Sequence, residues 1–137
     1  MADTQHDLFQ DLKAAAIRAL IVANVASARV YSSLPTNPTW PLVLVKRIGG
    51  IPANQRVLDT ASLQIEVWGT SQKETFDLAN TARKVIMDTQ SSTVTWTGGA
   101  AWITEVRQNL GFQDLPDPVT GRDRTIFGMS VSGRSAA

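Results

Sequence analysis

The chain has 137 residues, a net charge of +1, one histidine and no cysteine. That length fits a single domain spanning 1–137, and 43% hydrophobic residues suffice for an ordinary core without a covalent staple. The absence of cysteine excludes a disulfide scaffold, a zinc ribbon, an iron–sulfur centre and thiol catalysis, and the near-neutral charge argues against a strongly basic nucleic-acid binder.

The N-terminus, Met1 to Asp7, shows no basic segment followed by an apolar run, so no secretory signal is expected, and the default compartment is the cytoplasm. The apolar stretch Ala19–Ala23 is far shorter than the roughly 20 residues a membrane helix needs, so no membrane partner is expected. Apolar residues at steps of three and four (Leu8, Leu12, Ala15, Ala16, Ala19, Leu20, Ala23) predict a helix from about Thr4 to Val25, capped by Asp3 or Thr4. Ala28 to Tyr31 reads as a short strand. Pro35, Pro38 and Pro41 then break regular structure.

Leu42 to Ile48 reads as a strand buried on both faces at its start and ended by Gly49-Gly50. Ile51 to Leu58 has no period and is expected to be a loop. From Asp59 to Gly69 the residues alternate, placing Leu63, Ile65 and Val67 on one face and Ser62, Gln64, Glu66 and Trp68 on the other. Ser71-Gln72-Lys73-Glu74 is a capping box that opens a helix to about Ile86. Thr93 to Thr97 is a β-branched run. Trp102 to Phe112 is expected to be a strand with Trp102, Val106, Leu110 and Phe112 on one face, and Thr125 to Gly133 another with Phe127, Met129 and Val131 inward. Leu115 to Arg124 is a long hairpin loop, and residues 134–137 are expected to be a loose tail. The order implies α+β, a mostly antiparallel sheet with two helices packed on one face.

Catalytic patterns are sparse, and no catalytic, metal or cofactor residue is assigned. His6 stands without partners for a triad or a metal site. Glu66 and Glu105 invite an acid–base reading, but cross-strand pairing with Arg or Lys is the simpler one. Gly49-Gly50 and Gly98-Gly99 match no phosphate loop and suit turns. Nine arginines against four lysines, with Lys46, Arg47 and Arg56 near one loop and Arg122 and Arg124 near another, favour an interface. Phosphate contact and plain solvated loops are the competing readings. Trp68, on the outer strand face, and Trp40, between prolines, are better interface candidates than Trp102.

The succession of an N-terminal amphipathic helix, Val43-Leu44-Val45-Lys46-Arg47-Ile48-Gly49-Gly50, Ala61 to Gly69, the helix carrying Asp77 to Arg83, and Leu115 to Arg122 before the final strand resembles the tail terminator (tail completion) proteins of long-tailed, siphovirus-like bacteriophages. The likeness runs from about Leu8 to Gly133. It implies a tail-terminator-like virion protein, assembled in the host bacterial cytoplasm and usually hexameric. Such a ring caps the head-proximal end of the tail tube, stops polymerisation and meets neck or head-completion proteins. DNA passes through its lumen without sequence recognition. Trp40, Lys46, Arg47, Arg56, Trp68, Asp117, Arg122 and Arg124 are the expected interface residues, placed by loop logic. A head–tail adaptor is the alternative within virion assembly, with a small enzyme or a monomeric binding module further off.

Overall fold

Asp11 sets the start of the first helix: its Oδ1 accepts the Ala14 N–H at 3.1 Å, which satisfies one of the free donors of the first turn. The computed structural model describes residues 8–52 and 57–136. Helix α1 runs Leu12–Val22, shorter than the periodicity predicts, and the Asp3 and Thr4 caps fall outside the described residues. Leu8 has helical spacing but lies upstream of the cap and is exposed. The strands are β1 Val30–Tyr31, β2 Leu42–Gly49, β3 Asp59–Trp68, β4 Ser92–Trp96, β5 Gly99–Asp114 and β6 Arg124–Ser135, with α2 at Gln72–Met87.

They form one six-stranded sheet in the order β1-β2-β3-β6-β5-β4. The sheet is mixed, where a mostly antiparallel one was expected: β1 runs parallel to β2, and the other neighbouring pairs are antiparallel. The cause is local. Ala26, Ser27 and Ala28 adopt left-handed φ values of 52°, 54° and 64°, turning the chain from α1 into β1. The Arg29 guanidinium then donates to the carbonyls of Pro41 at 2.8 Å and Trp40 at 3.1 Å, closing the loop that brings β2 back in the same direction.

Helix α2 starts as its capping box predicts. Ser71 Oγ accepts the Glu74 N–H at 3.2 Å, while Glu74 Oε1 reaches the Thr70 N–H at 2.9 Å, one residue upstream of the usual partner. Both helices lie on one face of the sheet, where Leu12, Ala15, Ala16 and Leu20 of α1 and Ala79, Ala82 and Ile86 of α2 share a core with Val43, Val45, Leu63, Ile65, Phe127 and Met129. Phe127 is fully buried, which stabilises the fold by roughly 1.5–3 kcal/mol in transfer terms, and Phe112 packs on it edge-on at 5.1 Å.

Strand β5 departs from simple alternation. Its register shifts between Ile103 and Glu105, between Gln108 and Leu110, and again before Gln113. Each irregularity changes which face later residues meet, so Ile103 and Val106 are core while Trp102 turns away and Leu110 is exposed. Strand β6 also outlasts expectation. Ser135 pairs with Ala101, so Arg134 and Ser135 are strand rather than loose tail.

Candidate functional site

Opposite the helices, the far end of β3 carries Glu66 and Trp68 on one face, as the alternation predicts. Antiparallel register sets Trp68 beside Leu42 of β2 and Arg124 of β6, and Glu66 beside Leu44 and Ile126. Leu42, Leu44 and Trp68 are buried here with Tyr31 and Trp40 packed against them, a small second core apart from the helix side.

Glu66 is the hub. It is only 3% exposed, and a carboxylate so far out of water needs compensating charge. Lys46 Nζ approaches Oε2 at 3.1 Å, and Arg124 Nη1 donates to Oε1 at 3.1 Å. Both oxygens are thus occupied by cations, which makes Glu66 an anchor; the cross-strand reading holds. Arg124 extends the network: its Nε donates to the Leu115 carbonyl at 2.9 Å, and its guanidinium lies 5.6 Å from the Trp68 ring centroid.

Through Arg124 and Trp68 the sheet holds the loop 115–123. The Trp68 indole N–H donates to Asp117 Oδ2 at 3.2 Å, and the Trp40 and Trp68 rings lie 6.2 Å apart, tilted by 41°. Arg122 closes the stack, 4.4 Å above the Trp40 ring. The Val119 backbone N–H, chiefly, holds the Asp117 carboxyl below its ordinary pKa; desolvation opposes this, and the Trp68 indole and Thr120 assist. Trp68 therefore finds its cover within its own chain, while Trp40 is only partly buried.

The structure thus brings Trp40, Lys46, Trp68, Asp117, Arg122 and Arg124 together at one end of the sheet. Arg47 is not among them. It sits at the other end and on the helix face, where it grips the buried Asp59 through two hydrogen bonds of 2.7 and 3.1 Å. The Asp59 hydrogen bond, against some desolvation, holds the Arg47 guanidinium above its ordinary pKa. Around that end Ile48, Ile51 and Val57 are exposed, and Arg56 lies outside the described residues. Gly50 is fitted there with φ +116°, and a Cβ would stand 1.9 Å from the Thr60 carbonyl oxygen. Composition gave no signal of Glu66 as the hub, since Arg124 reaches it only through the β3–β6 register.

Among the described residues no group of three or more His, Cys, Asp or Glu side chains could hold a metal ion, and no helix is long and apolar enough to cross a membrane. Two helices over one face of a mixed six-stranded sheet, with an arginine–tryptophan clamp holding a loop on the other, define an α+β domain. The family model described as phage tail termination protein matches residues 5–126, and the chain belongs to that family. It is accordingly a structural protein of a phage-type virion tail, as the resemblance in the sequence implied. Among solved structures, a chain of the "Virion of native gene transfer agent (GTA) particle" is similar in fold, with a TM-score of 0.55 at 16% identity, over 90% of this chain and 95% of that one. No curated protein sequence matches significantly.

Proposed function

We propose that the protein forms a closed ring, six copies in the complete form, that caps the head-proximal end of the tail tube and ends its growth. The ring then joins the tail to neck or head-completion proteins, and DNA passes through its lumen without sequence recognition. Assembly takes place in the host bacterial cytoplasm. Membership of the tail termination family over residues 5–126 carries this reading.

The subunit's polarity supports it. A terminator needs unlike faces: one must complement the last tube ring, and the other must not repeat the surface onto which rings add. Here one end of the sheet bears the clamped loop 115–123 with Trp40 and Arg122, and the other bears the hairpin with Ile48, Ile51 and Val57. Head-to-tail contacts between neighbouring copies close into a ring when the rotation between them is right. A near-neutral chain suits a lumen that lets DNA slide without gripping it.

Native mass measurement and negative-stain imaging, on the protein alone and mixed with tail tubes, test the proposal. Rings are expected, either free or only on tube ends. A stable monomer that never caps a tube would overturn it.

A further inference from the structure

A strand at the margin of a sheet shows unpaired N–H and C=O groups to any extended chain, and sheets blunt such margins with charge, proline, bulges or brevity. Most of the open margin here is blunted. β1 is two residues long, and Pro35, Pro38 and Pro41 follow it. The part of β2 that outruns β1 bears Lys46 and Arg47 and shifts register before Gly49. The part of β5 that outruns β4 shifts register repeatedly, and its Val106 N–H is taken by Gln90 Oε1 at 2.9 Å.

β4 has none of these devices. Ser92 to Trp96 pair with Ile103 to Gly99 in unbroken register, and the strand holds neither charge nor proline. Among the described residues no strand lies beyond it. The Ala100 carbonyl accepts the Ala136 N–H at 3.4 Å, so Ala100 turns its backbone groups toward β6. Its partner Thr95 therefore turns its own N–H and C=O away from β5, and Thr93, two residues back, does the same. Both threonines are exposed, on the face opposite Val94 and Trp96, which pack on the core.

We infer that β4 pairs antiparallel with β4 of a second copy, about a two-fold axis at Val94. This register sets Thr93 opposite Thr95 of the other copy, so the outward N–H and C=O groups of both threonines find partners on both strands. Threonine pairs and β-branched pairs are favourable across strands, and no charges oppose each other. The missing charge also selects the occupant. A strand reserved for a foreign segment needs a charge to repel its own kind, and β4 carries none. A contact of one short strand is small, so the dimer is weak. It joins two copies and closes no ring, so it does not rest on the terminator reading.

Sedimentation equilibrium over a concentration series, with amide exchange at low and high concentration, tests the pairing. Mass should double reversibly as concentration rises. The Thr93 and Thr95 amides should then exchange about fivefold more slowly, while the Val94 amide stays equally protected throughout. T93K/T95K puts like charges opposite each other and should weaken pairing at least about tenfold, whereas T93K/T95E puts opposite charges together and should restore it. T95P removes an outward donor that β5 does not use, and should weaken pairing about tenfold with circular dichroism unchanged. Thr93 and Thr95 amides indifferent to concentration, or undiminished pairing by T93K/T95K, would overturn the inference. Loss of pairing in T93K/T95E as well would overturn the antiparallel register. Slowing of these amides only when tail tubes are added would give the edge to a foreign strand and overturn pairing between copies.

Discussion

The two ends of β3 solve the same problem differently. At its start, Asp59 is buried on the helix face and answered by one arginine, Arg47, through a two-pronged grip. Near its end, Glu66 is buried on the opposite face and shared by Lys46 and Arg124. The first pairing stays local, extending only to the Gly49 carbonyl two residues on, and around it Ile48, Ile51 and Val57 are exposed. The second continues through Arg124 into Trp68, Asp117 and the loop 115–123. A buried carboxylate can therefore serve a strand junction alone or act as the foundation of a projecting loop. What differs is where the cation's remaining donor goes: Arg47 Nε turns back to the Gly49 carbonyl of its own strand at 3.1 Å, whereas Arg124 Nε reaches the Leu115 carbonyl of the loop at 2.9 Å.

Substitutions at the two ends break or sharpen this contrast. The largest effect is expected where both ends share one core: Phe127→Ala should lower unfolding free energy by about 3–5 kcal/mol in urea denaturation and loosen both ends alike. Next come the carboxylates. Glu66→Ala leaves the mostly buried Arg124 uncompensated and should cost about 2–3 kcal/mol, reduced from a fully buried pair because Lys46 is 47% exposed. Asp59→Ala should cost about the same. Amide exchange separates them: loss of Glu66 should speed exchange in loop 115–123, and loss of Asp59 should not. Equal acceleration by both would erase the distinction between the ends.

Trp40→Ala removes one side of the arginine stack and part of the small core with Leu42 and Leu44, and about 1–2 kcal/mol of stability should go with it. The smallest effect is on acidification. Asp117 has its folded pKa below its unfolded one, so the stability it contributes is present above the usual carboxylate pKa and is lost as pH falls through the lowered value. Amides of Val119 and Thr120 should then exchange faster than the pH dependence of exchange alone predicts, while those of the Arg47–Asp59 end should not. A uniform response at both ends would contradict the local cause.

Much of this was legible before the structure. Period-two alternation in β3 separates Leu63, Ile65 and Val67 from Glu66 and Trp68, because adjacent strand residues must face opposite ways. The capping box at Ser71 and the prolines and glycine around Asp117 mark a helix start and a loop for equally local reasons. What stayed hidden depends on partners distant in the chain. Trp40 meets Arg122 only after β1 has added parallel to β2 and the hairpin has folded over. The bulges of β5 leave the spelling of the strand apolar while changing its facing, so Ile103 displaced Trp102 from the core. At α1, an apolar spacing that continues upstream of the true cap set the expected helix start at Asp3 or Thr4 and so hid Asp11 as the cap.

The terminator account is tested most directly by tail length in a phage carrying a stop codon in this gene, measured by electron microscopy of the lysate. The account predicts tails without a fixed length, many far longer than normal and none joined to heads. Tails of normal, uniform length that merely fail to join heads would contradict it and assign the protein to the adaptor position instead.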